Sequence, residues 1–547
     1  MFFRATGFPF LNWDDQEILV RNQHLFTPGI VGWAFTTRLI EHYQPLSWMT
    51  WAAIARTVGL TSAAAHGLNV LLHAVAAGLV FLLCTRIESL SGAAARGTTG
   101  RSSQYASAIA VVATFAWALH PLRVEPVVWA SAMPYPLALA LAVAATLAWV
   151  DSRPLTAAVL LGASLLARPL AFLLPAVLWM SRPPSRRRDR LALASMTAVG
   201  IVTVALESAA RLTATLDEFG VGARLTLAAA APWRYLWRTI WPVDLTPVDP
   251  LALTPRTDLG VIVTGAAVAA LVSAAAWRWR RRFPVAAGSW AAYLLLLAPA
   301  MGLVPSGLQA TADRYTYFPA VALSTALADV LNRATAWLRS RTQHTSVVWK
   351  AAITIVVVLL SAATWRQTAF WRDSITLWTR AAALDAANDV AFYNLGTALQ
   401  DAGRADEATD AYEATLRLVP DHQAARKNLN GLRAIARQHE ADALAASGNL
   451  GAAIPIYWNV LALDPFRSRA RAALGIALAR TGAFNAAVEE LRTAIDQGVD
   501  DPAVFNAAGF ALVQTGKTAD AIRLLQAGRA RHPEDEDIRR NLEMLTR

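Results

Sequence analysis

The chain has 547 residues, 55% of them hydrophobic and only 16% charged, whereas a soluble domain carries about 25% charged residues. Net charge is +11, almost all of it from arginine, and the single cysteine, Cys84, excludes an intramolecular disulfide and any cysteine-based metal cluster. The arginines sit in short clusters between apolar runs, which fits the inner-side bias of membrane proteins and not a nucleic-acid-binding face.

In chain order, the first stretch of note is NWDDQEILVRN at Asn12–Asn22, with adjacent carboxylates at Asp14 and Asp15. Apolar runs follow at 60–84, 104–120, 127–150, 154–167, 169–181, 191–208, 258–276, 284–303, 316–332 and 347–365. A spanning helix needs roughly 20 apolar residues, within about 17–25, so these ten runs predict a polytopic helix bundle. The runs 154–167 and 169–181 are short and break at Ala167-Arg168-Pro169. Proline disfavours the helical region for the residue before it, so the pair reads as two short helices meeting at the outer face.

The basic clusters are Arg86/Arg96/Arg101, Arg182/Arg186/Arg187/Arg188/Arg190, Arg278/Arg280/Arg281/Arg282 and Arg333/Arg339/Arg341/Lys350. Placing each on the cytoplasmic side lets every connection alternate. Residues 1–59, 120–126, the break at 168, 209–257, 304–315 and everything after 365 then lie outside. Residues 1–59 would cross with no helix ahead of them, which predicts a further apolar helix upstream of Met1. MFFRATGFPF is too short to span and lacks the apolar core of a signal peptide.

Past residue 380 the chain repeats. QDAGRADEA (400–408), ASGNLGAA (446–453), RTGAFNAA (480–487) and QTGKTADA (514–521) place glycines at 403, 448, 482 and 516, spaced 45, 34 and 34. A 34-residue period with small residues around a glycine turn is the tetratricopeptide pattern. The 11 extra residues in the first gap lengthen a helix or insert one, a half-repeat at 371–386 joins the array to the last span, and Asp535–Arg547 reads as a polar capping helix. The fold class is therefore all-α: a transmembrane bundle over 1–365, then an α-solenoid over 366–547.

The residues able to carry chemistry fall on the expected outer face: Asp14 and Asp15; His120, Arg123 and Glu125 in HPLRVEP; Arg168; and Asp313, Arg314, Tyr315 and Tyr317 in DRYTY. Taken singly each has a plain reading. Paired acids in a loop serve as a turn or helix cap, Asp313-Arg314 beside two tyrosines as an interfacial anchor, and His66, Asn69 and His73, spaced for one helix face, as a polar seam between helices. Four loops that bring acids, arginines, histidine and tyrosines to one side of a bilayer suit a substrate with a phosphate at the surface and a tail in the lipid.

The order of elements resembles the GT-C glycosyltransferase superfamily, and within it the transmembrane and tetratricopeptide-repeat-containing O-mannosyltransferases and their bacterial relatives. The resemblance rests on Asn12–Asn22, QPLSWMTW (44–51), HGLNVLLHA (66–74), ALHPLRVEPVVW (118–129), LARPLAFLLP (166–175), WPVDLTPVDP (241–250) and ADRYTYFPAVAL (312–323). It implies a polyprenyl-phosphate-linked sugar as donor and a hydroxyl acceptor, of a protein, a glycan or a lipid, outside the bacterial inner membrane. It further implies catalytic or acceptor-binding roles for Asp14 and Asp15. One of them would act as general base for an inverting attack, worth roughly 10²–10⁴ in rate, with Arg168, Arg314, Arg123 or His120 on the leaving phosphate. Glu125 would orient the acceptor or hold Arg123. No ligand spacing calls for a metal, though a divalent ion between the acids is compatible with the chemistry.

The family often carries a charged cluster after the His-Pro…Glu loop, where this chain has Ala132-Met133-Pro134-Tyr135. That departure keeps a second reading open: a non-catalytic membrane scaffold presenting the repeats to a protein partner. A transporter would need internal symmetry in the membrane half, and none is visible.

Overall fold

A computed structural model describes all residues except 91–99, 209–220, 251–258, 303–308 and 340–344. Arg96 and Arg341 of the basic clusters lie outside the described residues. The chain divides into two compact units, Met1–Ala398 and Leu399–Arg547.

The first unit is helical except for a short antiparallel ladder that pairs Asp249 with Thr311. Among the described residues, four helices are long and apolar enough to cross a membrane: Ser62–Ser89, Ala130–Val150, Arg187–Ser208 and Ile353–Phe370. A fifth is added if Ser107–Ala118 and Pro121–Val128, bent by 61° at their junction, count as one. The ten expected spans are therefore not all matched by helices of spanning length. Pro121 removes a backbone donor and ends one run. Pro154–Ala167 has 14 residues and Pro284–Leu297 another 14, each only about 21 Å long.

Polar side chains stitch this bundle through backbone carbonyls. Ser164 Oγ donates to Ala138 at 2.7 Å, Ser47 Oγ to Ala167 at 2.7 Å and Trp149 Nε1 to Leu178 at 2.9 Å. Two residues of the 66/69/73 stripe do the same work: Asn69 Nδ2 donates to the carbonyls of Trp129 (2.7 Å) and Ala130 (3.2 Å), and His73 bridges Tyr317 OH (2.7 Å) and the Ala118 carbonyl (3.0 Å). A buried polar group without a partner is costly, so these bonds fix which helix faces meet.

Helix Pro134–Val150 separates two chemically different ends of the unit. Its 17 residues span about 25 Å. At its C-terminus Arg86 pairs with Asp151 at 2.7 Å and Arg182 donates to Ser152 at 2.8 Å. Its N-terminus carries Tyr135 into the candidate site below. Basic loops and candidate site thus lie at opposite ends of one helix.

The second unit is built of antiparallel helices: Ala405–Leu418, Gln423–Ala446, Leu450–Leu463, Ser468–Arg480, Phe484–Asp496, Pro502–Gln514, Thr518–Arg531 and Glu536–Thr546. The extra residues of the first gap lengthen one helix, the 24-residue Gln423–Ala446, and insert none. The periodic glycines 403, 448, 482 and 516 take φ of +74°, +84°, +89° and +76°, a left-handed turn that a Cβ disfavours. Close packing fixes a second glycine type: a Cβ on Gly475 would sit 2.5 Å from Leu491 Cγ. The last helix is capped by Asp535, whose Oδ1 accepts the Ile538 N–H at 2.8 Å.

Candidate active site

The two adjacent aspartates have different surroundings. The chain enters at Pro9, turns at Asp14-Asp15 and continues as a short π-helix, Gln16–Val20. Asp15 is fully buried. Its Oδ2 accepts the Leu11 N–H at 2.9 Å and its Oδ1 the Ser131 N–H at 2.8 Å. It therefore clasps the first loop to the turn before helix Pro134–Val150. Burial pushes its carboxyl up to about 6, against the pull of those hydrogen bonds. Asp14 is half-buried. Burial raises its carboxyl above the usual range, while Arg314 and Arg168 pull it down.

Arg314 lies in the 3-10 turn Asp313–Thr316. Its backbone N–H donates to Glu125 Oε2 at 2.8 Å, its guanidinium bonds to Glu125 Oε1, and its Nε donates to Tyr135 OH at 3.1 Å. The guanidinium also faces the rings of Trp129 (5.5 Å) and Tyr315 (5.1 Å). Glu125 is 1% exposed, so its charge is compensated by Arg314 and not by Arg123.

Arg168 takes an extended conformation (φ −165°) at the break before Pro169. Its Nη1 donates to Gln44 Oε1 at 2.9 Å and its Nη2 lies 3.2 Å from His42 Nε2; His42 Nδ1 is 3.3 Å from Glu207 Oε1. With Nε2 accepting from arginine, the imidazole is neutral and its Nδ1–H donates to Glu207. The Arg168 guanidinium sits 4.7 Å from the Tyr135 ring centroid. Tyr135 thus receives both arginines, one on its hydroxyl and one on its face.

The remaining expected site residues point elsewhere. His120 contacts the Thr239 carbonyl at 2.8 Å through Nε2 and accepts the Leu122 N–H through Nδ1, a cap on the turn Pro121–Arg123. Arg123 donates to Thr316 Oγ1 at 2.7 Å and lies against the rings of Trp117 and Tyr317. Tyr317 is the hydroxyl that meets His73. Asp313 pairs with Arg238 at 3.4 Å; Arg238 also reaches Asp249 at 3.2 Å, and Thr311 donates to Asp249 at 2.6 Å. The expected ring thus resolves into a group around Asp14 (Arg168, Arg314, Glu125, Tyr315) and a network around Asp313 and Arg238, the two coupled electrostatically through Glu125.

Sequence reasoning passed over Tyr135, His42, Gln44, Trp129, Arg238 and Asp249. Gln44 and Trp129 sit in stretches that carry the family resemblance. Tyr135 sits in the stretch read as a loss of charge. Asp249 lies in another such stretch, 241–250, whereas His42 and Arg238 carry no sequence signal of their own.

The donor set does not suit a divalent cation. Both Asp15 oxygens accept backbone N–H groups, and the charges bearing on Asp14 from outside the pair are arginines. No group of three histidine, cysteine or acidic residues with metal-holding geometry occurs among the described residues.

A cavity of about 470 Å³ lies in the same unit, lined by Leu83, Leu139, Ala171, Val177, Leu296 and Phe318 among others. Ala171 and Phe318 follow Arg168 and Arg314 by three and four positions, and Val150 and Pro284 line it towards the basic end.

Residues 444–509 match the sequence profile of the tetratricopeptide repeat, so the repeat expectation is met there. No curated protein sequence matches the chain. Among solved structures, YrrB, described as a TPR protein with an unusual peptide-binding site, is 19% identical, covering 30% of this chain and 79% of its own, with a TM-score of 0.19. MamA from Desulfovibrio magneticus RS-1 (residues 41 to the end) is 18% identical, covering 30% and 85%, with a TM-score of 0.19. MamA of AMB-1 is 21% identical, covering 29% and 91%, with a TM-score of 0.17.

Proposed function

We propose that the chain is a membrane glycosyltransferase that moves a sugar from a polyprenyl-phosphate donor to a hydroxyl acceptor, most simply on a protein, on the non-cytoplasmic side of a bacterial inner membrane. The observation that carries this reading is that two arginines from loops far apart in the chain, Arg168 and Arg314, meet at Tyr135 and both act electrostatically on Asp14. An acid that can take a proton and two cations that can hold a phosphate are the parts such a transfer needs.

In the proposed step the acceptor oxygen attacks the anomeric carbon and its proton passes to Asp14. The bond between that carbon and the phosphate oxygen breaks with inversion, and the electron pair leaves on the polyprenyl phosphate. Arg314 and Arg168, preorganised by Glu125, Tyr135, Gln44 and His42, face the charge that develops there; such fixed cations act strongly where water is excluded. Asp15 holds the loop and takes no proton from substrate. The apolar cavity whose lining begins just after both arginines supports a donor with a hydrocarbon tail. The tetratricopeptide match at 444–509 supports a protein acceptor or partner at the repeats, since stacked repeats present extended binding surfaces.

A second reading is favoured by that same match: a scaffold that holds the repeats at the membrane without catalysis. Purified protein supplied with polyprenyl-phosphate sugars and acceptor peptides separates the two. Transfer that is lost in Asp14→Asn supports the enzyme. No transfer from any donor, together with loss of a bound partner on deleting 444–509, supports the scaffold.

A further inference from the structure

We infer that segment 374–394, helix Ser374–Leu384 and the start of helix Asp389–Asp401, is part of the site: Asn12 is a positioning residue, through which Ser374, Trp378 and Asn394 set where Asp14 stands. This rests on the reading of Asp14 as the base.

The backbone N–H and the side-chain amide of Asn12 are engaged by this segment. Its backbone N–H donates to Ser374 Oγ at 2.9 Å, its Nδ2 to the Asn394 carbonyl at 3.0 Å, and its Oδ1 accepts Trp378 Nε1–H at 3.0 Å. The partners lie 362 to 382 residues away in the chain. Trp13 continues the contact, stacked on Trp129 (4.2 Å, 11°) and edge-on to Trp378 (5.2 Å). Trp378 is fully buried. Asp373 fixes the start of helix Ser374–Leu384 by accepting the Thr376 N–H at 2.7 Å, which holds Ser374 in place. The segment grips a second loop as well: Arg380 reaches Asp244 at 2.9 Å and Asn388 donates to the Val248 carbonyl at 3.2 Å.

The consequence for Asp14 is geometric. One residue after it, Asp15 is bonded to Ser131; two residues before it, Asn12 is bonded to segment 374–394. A segment of four residues fixed at both ends has little freedom to turn, so Asp14 is held towards Arg168 and Arg314. Loosening the Asn12 end frees Asp14 without touching either arginine.

The test uses the full-length protein in lipid nanodiscs with Ser374→Ala, Ser374→Thr and Trp378→Phe. Hydrogen exchange in residues 10–21 should quicken roughly tenfold in Ser374→Ala and Trp378→Phe, the scale of one lost hydrogen bond. Exchange in 62–90 and 444–509 should not change, and Ser374→Thr, which keeps the hydroxyl, should restore the wild-type rate. In the transfer assay the first two variants should lose about tenfold in kcat at unchanged donor KM. The acid limb of their pH–rate profile should move up as Asp14 leaves the arginines, a shift that simple loss of folded protein does not produce. Unchanged exchange in 10–21, or equal acceleration throughout the chain, overturns the inference. A wild type that transfers no sugar overturns the proposed function instead, and the exchange result still decides whether segment 374–394 holds the loop.

Discussion

Arg314 and Glu125, 189 residues apart, meet twice: the arginine's backbone N–H donates to Oε2 at 2.8 Å and its guanidinium bonds to Oε1 of the same carboxylate. Both side chains are buried. Two segments far apart in the chain are thereby locked into one register, which holds the cation that acts on Asp14 in place.

Removing one partner of a buried pair leaves the other charge uncompensated and costs about 3–5 kcal/mol. Glu125→Gln should lower the unfolding midpoint accordingly. Glu125→Leu combined with Arg314→Met should recover much of that stability and none of the transfer, because an apolar pair packs but holds no phosphate. Thermal unfolding and transfer assays on the same preparations check both statements.

The twin aspartates should respond differently to the same substitution. Asp14→Asn removes the proposed base and should cut transfer by roughly 10²–10⁴ with little change in stability. Asp15→Asn turns an NH₂ group towards one of the two backbone donors it now accepts, and should destabilise by about 1–3 kcal/mol. If Asp15→Asn abolished transfer in fully stable protein while Asp14→Asn did not, the roles assigned here would have to be exchanged.

Asp15 also makes stability depend on pH. Its carboxyl titrates near 6 in the fold against an ordinary value of 3.8. Between these values the native state holds a proton that the unfolded chain has released, so stability falls as pH rises. The loss runs from roughly pH 4 to pH 6 and amounts to on the order of 3 kcal/mol, at about 1.4 kcal/mol per pH unit. Chemical denaturation across that range should show the slope in wild type and a flatter line in Asp15→Asn.

His42 should act on donor affinity through Arg168. Its Nε2 accepts from the guanidinium and its Nδ1 faces Glu207. A hydrogen bond to a charged group contributes about 1.5–3 kcal/mol. His42→Ala should therefore raise the donor KM roughly 10–100-fold and leave the acceptor KM unaffected, measured by varying each substrate in turn.

In the second unit, Gly482→Ala places a Cβ at φ +89° and should destabilise its repeat by roughly 1–2 kcal/mol. Hydrogen exchange over 444–509 in the full chain would register this as faster opening. Gly431→Ala, where a Cβ meets nothing within 4 Å, should be neutral or slightly stabilising.

The sequence by itself determined whatever depends on local spacing. The 34-residue glycine period required left-handed turns at fixed intervals, and those turns are present at Gly403, Gly448, Gly482 and Gly516. Runs such as 60–84 and 347–365 are helical, as Ser62–Leu90 and Thr345–Phe370, because a helix pairs its interior backbone groups within the run itself. The tertiary structure alone decided what depends on which loops meet. Nothing in Asp14-Asp15 distinguishes a clasp from a candidate base until Ser131 and Leu11 take both oxygens of one of them. Nothing in Ala132-Met133-Pro134-Tyr135 suggests that the tyrosine receives two arginines. Local pattern follows from the bonding of residues close in the chain, whereas a buried charge finds its partner only once packing has brought distant segments together, as it has brought Arg314 to Glu125 and Asn12 to Trp378.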